Sequence, residues 1–344
     1  MWMAALVAVV CTGSAAGGVT QQELPQLPVV ELPSSPSFPE WLATVRAEAI
    51  SRGITQATVD SALDGLEPLP VVLERDRSQA ELLLTLDQYL ARRLPRKMIR
   101  TAQKVARQHA QLLKRVRAKY KVPPSLVVAV WGLESNFGRF SGVRPTIATL
   151  ATLAYDPRRS AMFREELFNA LKILDNGDVA PSALRGSWAG ALGQPQFMPS
   201  SFLEYAQDFD GDGRRDIWTS TPDVFASIAN YLSAHGWNEK QTWGREVKVP
   251  KGLTEEKIQD IAPLQTTGCL AQRQMTVPLP LAKWRELGIT TMSGAKLPSA
   301  TIDASLVWGG RRHFLVYPNY QAILSYNCVH AYGLSVALLA DKLR

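Results

Sequence analysis

Residues 127–138, VVAVWGLESNFG, impose the tightest condition on any fold this chain can adopt. Val127, Val130, Trp131 and Glu134 stand at i, i+3, i+4 and i+7, so a helix carries all four on one stripe. Such a stripe must be covered by other elements, and the single acid among its large apolar side chains is desolvated with them. Desolvation disfavours the charged carboxylate and raises its pKa. A carboxyl group that keeps its proton at neutral pH can pass it to a leaving-group oxygen, as glycosidic cleavage requires. The plainer reading is a glutamate that snorkels to the end of a buried helix or pairs with a cation such as Arg139. This segment alone does not choose between the two.

The chain has 344 residues, enough for one large domain or two to three smaller ones. Residues 1–16 are expected to be a signal peptide: a short apolar run ends in TGSAA, with Ser14-Ala15-Ala16 matching a small-x-small cleavage site. No Lys or Arg precedes that run, so the start is atypical. Cys11 is a lipidation candidate, but Val10 stands where a small residue belongs, so export without an anchor is preferred. Membrane association is expected only if Cys11 is lipidated. Residues 17–37 are rich in Pro and read as a tether.

From Phe38 to Tyr120 the apolar residues recur at helical spacing, with Thr55 and Ser78 as N-caps and Gly53 and Gly65 as stops. Residues 96–120 read as one continuous helix. Pro123-Pro124 opens the helix that carries Glu134 and Gly138 closes it. Helices resume over 147–174 with a break at Asp156-Pro157, followed by a Gly- and Ser-rich turn-and-helix unit at 183–202. A further helix covers 222–234. Beyond Trp243, REVKVP, RQMTVPLP, TIDASLVWG and RHFLVYP are short, β-branched and punctuated by Gly and Pro, which predicts a small sheet. Residues 322–344 return to helix. The expected organisation is a helical domain (38–120), a catalytic core (121–240), a small β-rich domain (241–320) and a C-terminal helix (321–344) packed back on the core. The fold class is mainly α, within α+β.

Formal charge is +7 and the sequence pI is about 9.3, which favours an anionic partner. The excess is local. No acid lies between Asp87 and Glu134, whereas twelve Lys and Arg do: Arg92, Arg93, Arg96, Lys97, Arg100, Lys104, Arg107, Lys114, Arg115, Arg117, Lys119 and Lys121. This run reads as a solvated helix face or as a grip on an anionic wall polymer; export argues against nucleic acid. After cleavage only Cys269 and Cys328 remain. In an exported protein they suit one disulfide, and in a cytosolic one they are two buried thiols. A bridge closing that loop is worth about 4 kcal/mol in the chain-entropy model.

Three further stretches can carry chemistry. In RGSWAGALGQPQFMPSS (185–201), glycines allow close backbone approach, while Ser187, Gln194 and Gln196 offer neutral hydrogen-bonding groups beside Trp188 and Phe197. Aromatic faces with amides and hydroxyls suit an N-acetylated sugar, although an ordinary Gly-rich joint has the same look. In DFDGDGRRD (208–216), aspartates fall at positions 1, 3, 5 and 9 with Gly213 at position 6, the first part of a calcium loop. Position 12 is Thr219 rather than a glutamate, and Asp223 lies close enough to close such a site. In SYNCVHAY (325–332), Tyr326, Asn327 and Tyr332 either line a cleft or pack in a helix. The four histidines have no metal-ligand spacing, and no nucleophile elbow, phosphate loop or dinucleotide fingerprint is present. A second carboxylate for Glu134 is not evident; Asp156, Glu165 and Glu166 qualify on spacing alone.

Taken together, VWGLESNFGRFSG, GSWAGALGQPQFMPSSFLEYAQDFDGDGRRDIW and SIANYLSAHGW resemble the lytic murein transglycosylase B family of cell-wall enzymes. The likeness runs from about Phe38 through the last helix, with Gln196 matching the family's key glutamine. It implies a lysozyme-like catalytic core, a helical domain, a small β-containing domain, and a calcium site matched by Asp208, Asp210, Asp212, Asp216 and Asp223. It also implies that Glu134 is the only catalytic acid and base, with the substrate's N-acetyl oxygen in place of a second carboxylate. Ser187, Gln196, Tyr231, Tyr326 and Asn327 would bind sugar, with Tyr332 a weaker candidate. No cofactor is expected for catalysis; Ca2+ would be structural. The expected location is the periplasm, and the expected partners are peptidoglycan strands, with other cell-wall enzymes as further candidates. A water-using muramidase and a non-catalytic wall-binding scaffold are the alternatives.

Overall fold

Helix α1 (Phe38–Ser51) begins where the prolines end and buries Phe38, Leu42, Val45 and Ala49 on one stripe. The computed structural model describes residues 36–77, 84–158 and 160–343. The expected signal peptide, Cys11, most of the 17–37 tether and the Ser78 cap therefore lie outside the described residues. Gly53, at φ +83°, turns the chain out of α1. Thr55 caps α2 (Gln56–Leu63), its hydroxyl accepting from the Thr58 N–H at 3.3 Å. A helix not anticipated from the pattern, α3 (Pro70–Arg77), follows. Next, α4 (Leu86–Arg93) starts in a capping box formed by Thr85 and Gln88.

The basic segment expected to be one helix is two, α5 (Arg96–Gln108) and α6 (Ala110–Tyr120), broken at His109. The break places the His109 ring edge-on against Trp131 at 5.9 Å and Phe225 at 5.4 Å. Those contacts hold the residue in its kinked conformation. Next comes α7 (Pro124–Ser135), with Pro124 in the first turn. Then follow β1 (Arg144–Pro145), α8 (Thr146–Tyr155), α9 (Ser160–Asp175), β2 (Arg185–Gly186), α10 (Pro199–Tyr205) and α11 (Thr221–Ala234). Strands β1 and β2 pair antiparallel, Arg144 opposite Gly186. At Gly142 a Cβ would sit 2.2 Å from the Gly186 backbone, so only glycine lets this junction close.

The late segment holds β3 (Gly244–Lys248), α12 (Glu255–Ile261), α13 (Leu270–Arg273), β4 (Leu279–Pro280), α14 (Leu281–Glu286), β5 (Thr290–Thr291), β6 (Asp303–Gly309) and β7 (Arg312–Val316). The strands form one antiparallel sheet in the order β4-β6-β7-β3-β5. The sheet sorts its side chains by the period of two. Phe314 and Val316 join the main helical core, while Leu315 between them joins a second core with Val247, Leu281, Trp284 and Leu306.

The single C-terminal helix expected from the pattern is α15 (Asn319–Tyr326) and α16 (His330–Asp341), bent by 120° at Cys328. A disulfide joins Cys328 to Cys269 at the start of α13, Cα atoms 6.3 Å apart, and so ties the sheet-bearing segment to this corner. Among the described residues no single helix is long and apolar enough to cross a membrane. Helix α7 packs against α5, α6, α11 and α16. The described residues are mainly helical, with one five-stranded sheet and the short β1-β2 pair, and α7 stands at the centre of the helices.

Candidate active site

Ten of the twelve residues of α7 are buried, so the helix is apolar on every side and interior rather than amphipathic. Its end is unusual. The cap residue Asn136 and the next residue, Phe137, both adopt positive φ, at 51° and 60°. Two successive non-glycine residues in this region store strain that the surrounding packing must hold. The Phe137 ring folds back so closely that a Cβ on Gly132 would meet it at 2.5 Å. Ser135 knots the turn: its hydroxyl donates to the Trp131 carbonyl at 2.8 Å and accepts from the Gly138 N–H at 2.9 Å. The helix thus ends at Ser135, three residues before the glycine expected to stop it.

Glu134 sits in this last turn. Part of its surface is open, while packing on its other sides raises its pKa from 4.5 to about 7. Burial is the largest cause, opposed by a hydrogen bond from Tyr332 and by the charge of Arg93. Tyr332, carried by α16, donates its hydroxyl to Glu134 Oε1 at 2.5 Å. The same burial and the adjacent acid hold the Tyr332 hydroxyl far above its ordinary range, so it remains a donor. The cation near Glu134 is Arg93 of α4, not Arg139, which is exposed.

From sequence Tyr332 is a weaker candidate than Tyr326 and Asn327, and Arg93 belongs to a run that reads as solvated. Tyr332 follows the bend at Cys328, and that bend carries no clear periodic signal. Arg93 looks like eleven other cations in one dimension.

No second carboxylate joins Glu134 among the described residues. Asp156 accepts from Arg158 at 2.8 Å, Glu165 from Arg52 at 2.6 Å, and Glu166 from the Ser200 N–H and hydroxyl at 2.9 and 2.6 Å. All three spacing-based candidates are engaged elsewhere.

Aromatic rings gather beside the acid. Tyr231 and Tyr326 lie 4.7 Å apart between centroids, with Phe197 at 5.5 and 5.9 Å from them and His235 stacked on Tyr231 at 4.0 Å. Tyr326 donates to the Pro195 carbonyl at 2.8 Å, which fixes its ring against the glutamine loop, and Tyr231 donates to the Ser325 carbonyl of α15 at 2.6 Å. In that loop Gln196 has φ 55°, and its amide donates to the Gly193 carbonyl at 2.8 Å. Gln194 accepts from Trp131 Nε1 at 2.7 Å and donates to the Trp218 carbonyl at 2.7 Å, latching the loop to α7.

Ser187 turns its oxygen inward, accepting from the Ala189 and Ala191 N–H groups at 3.3 and 3.1 Å. Asn327 is exposed just after α15. Glu134 is thus joined to Tyr332 directly, and Tyr326, which lies within its field, ties in Tyr231 and the Gln196 loop, whereas among the described residues no hydrogen bond links Ser187 or Asn327 to the acid.

The aspartate loop is split in two by its hydrogen bonds. Oxygens of Asp208, Asp210 and Asp212 lie within 4.8 Å of one another. Asp216 instead accepts from the Trp218 and Thr219 N–H groups at 2.9 and 2.8 Å. Asp223, fully buried in the first turn of α11, accepts from the Phe209, Asp210 and Asp216 N–H groups at 2.7, 3.4 and 2.9 Å. Of the five expected ligands, three converge and two brace the loop.

A profile of the Transglycosylase SLT domain matches residues 37–341. Membrane-bound lytic murein transglycosylase B of Escherichia coli (strain K12) is 32% identical over 231 residues, covering 67% of this chain and 59% of that protein. The match thus spans less than two thirds of that relative's length. SltB3 from Pseudomonas aeruginosa, in complex with NAG-anhNAM-pentapeptide, superimposes with TM-score 0.81 at 42% identity, over 89% of this chain and 79% of that one. The Escherichia coli lytic transglycosylase Slt35 in complex with calcium gives 0.71 at 26% identity, over 88% and 92% of the two chains.

Proposed function

The chain belongs to the Transglycosylase SLT domain family, and from that membership we propose that it is a lytic transglycosylase of peptidoglycan. It cleaves the β-1,4 bond between N-acetylmuramic acid and N-acetylglucosamine and leaves 1,6-anhydromuramoyl ends. The observation that carries this reading is Glu134, a carboxyl with a pKa near 7 and, among the described residues, no second acid beside it. Protonated, it donates to the bridging oxygen as the glycosidic bond breaks. The substrate's N-acetyl oxygen stabilises the cationic centre, the part a second carboxylate plays in other glycosidases. Glu134, now anionic, takes the proton from the muramoyl 6-hydroxyl, whose oxygen closes the anhydro ring. No water enters the sum. A relative bound to an anhydro-muropeptide fits this product.

Tyr231, Tyr326 and the Gln196 loop form the sugar-binding wall in this reading, with Ser187 and Asn327 contributing where substrate reaches them. Asp208, Asp210 and Asp212 hold a structural Ca2+: their oxygens converge on a tight turn, the donor set a hard cation requires. The enzyme acts outside the cytoplasm, on the wall.

Mass spectrometry of soluble products from peptidoglycan sacculi tests the reaction. Ends lighter than reducing ends by one water are expected. Glu134→Gln should lower the rate by about 10²–10⁴, the share of a general acid. Reducing ends would mark a hydrolase; undiminished turnover by the variant would remove Glu134 from the chemistry.

A further inference from the structure

Twelve cations lie between Asp87 and Glu134, and eleven of them are exposed, ten on α4, α5 and α6 and Lys121 just after α6. Arg93 is the exception. It is the last residue of α4, drawn inward so that its Nη2 donates to the Leu133 carbonyl at 2.8 Å. That carbonyl precedes Glu134 and belongs to the last turn of α7, where backbone oxygens have no partner within the helix. Arg93 Nε is buried without a protein partner. Arg93 as a whole is half-buried, and a guanidinium nitrogen desolvated without a partner is costly unless the cation serves another group. The group within its field is Glu134.

We infer that Arg93 is a positioning residue for the proposed reaction, fixing the last turn of α7 through Leu133 and balancing the charge that Glu134 acquires once its proton has left. The inference rests on Glu134 being the proton donor. Burial alone would give a carboxyl that keeps its proton too firmly. The donor must then exist as a carboxylate in order to take the 6-hydroxyl proton, and a fixed cation stabilises that state without any reorganisation. A helix C-terminus is also the wrong place for an anion, since the macrodipole is negative there. Arg93 offsets this by capping one of the carbonyls that produce it.

Arg93 shares this task with Tyr332, whose hydrogen bond is the larger of the two influences favouring the Glu134 anion; Arg93 brings the positive charge. From α16 Tyr332 gives Glu134 a hydrogen bond, and Tyr326 of α15 also lies within its field, but both hydroxyls stay neutral. The segment holding α5 and α6 contains no acid, and His109 between them packs on Trp131 with its pKa lowered by burial. Helix α11 presents Phe225 to the same ring.

The test compares Arg93→Gln and Arg93→Lys with the parent protein, using the pH profile of kcat/KM on a soluble glycan fragment. In parallel, the Glu134 carboxyl is titrated by 13C NMR and assigned by its absence in Glu134→Gln. In Arg93→Gln the carboxyl titration and the alkaline limb should both move up by about half to one pH unit, with kcat reduced about tenfold. Arg93→Lys, which keeps the charge, should return the limb most of the way. A folded Arg93→Gln with both curves unmoved would overturn the inference and leave Arg93 a packing residue. A carboxyl titration that moves while the limb stays would uphold Arg93's hold on Glu134 and take Glu134 out of the reaction. The two failures are thereby distinct.

Discussion

Two sets of carboxylates in this molecule have been put to opposite uses by their surroundings. Glu134 stands alone at the end of an interior helix, enclosed by Tyr332, Tyr326 and Trp131, and its affinity for a proton is raised. Asp208, Asp210 and Asp212 crowd together on a surface turn, wet and accepting N–H donors from their own loop, such as Gly211 and Gly213 to Asp208 at 2.7 and 2.9 Å. The functional group is the same. Where it is isolated from water it becomes a proton donor; where it is solvated and multiplied it becomes a seat for a cation. Solvation and company decide the chemistry.

The sharpest way to break the comparison is Glu134→Gln. Activity should fall as described above, yet the fold should gain. The folded pKa of about 7 exceeds the ordinary 4.5, so between those values the native state holds the proton more tightly than the unfolded chain. Stability therefore falls as pH rises from 4.5 to 7, and above 7 the full penalty of a buried anion is present. Glutamine removes that penalty, worth about 2–3 kcal/mol after allowing for partial exposure. Denaturant unfolding at pH 8 should place the variant above the parent, and at pH 4 the two should coincide. A variant less stable at pH 8 would show that Glu134 is paired rather than strained.

A smaller effect separates the bracing aspartates from the converging ones. Asp223→Ala leaves the Phe209, Asp210 and Asp216 N–H groups without their buried acceptor, at a cost of about 2–3 kcal/mol. Asp212→Asn, at an exposed turn, should cost under about 0.5 kcal/mol in the absence of metal. Equal losses at the two positions in thermal melts would erase the distinction.

Much of this was legible in the sequence. The stripe of Val127, Val130 and Trp131 puts Glu134 in a desolvated setting, because helical periodicity is a local property. Strands β3, β6 and β7 are readable from their β-branched runs, whereas RQMTVPLP yields only the two residues of β4 and the short β5 falls in none of those runs. Tertiary decisions were not. His109 breaks a regular basic pattern because Trp131 and Phe225 hold its ring, and neither lies near it in sequence. Arg93 and Tyr332 reach Glu134 from 41 residues before and 198 after it. Their neighbours in sequence gave no sign that these two would turn inward. The aspartate spacing identified the loop, but the division of labour within it is set by which carboxylates the backbone N–H groups of 209–219 capture first.

A further measurement asks whether the converging aspartates hold a metal at all. A cation that binds only the folded state adds RT ln(1 + [L]/Kd), about 2.7 kcal/mol at one hundred times Kd. For a chain of this size that is a rise in Tm of several degrees, on the order of 3–6 °C. Calcium added to protein stripped with chelator should produce that rise, and Asp210→Asn should abolish it, while leaving turnover at 25 °C within about twofold because the loop supplies no reacting group. Magnesium should do less, since it gives up its waters reluctantly and asks for a tighter octahedral cage. Should Tm ignore calcium in both proteins, the three carboxylates are a solvated turn held by its own N–H groups. Should turnover instead collapse with the metal removed, the loop governs the geometry of the latch at Gln194, which donates to the Trp218 carbonyl just past Asp216. In that case the two sets of carboxylates are coupled.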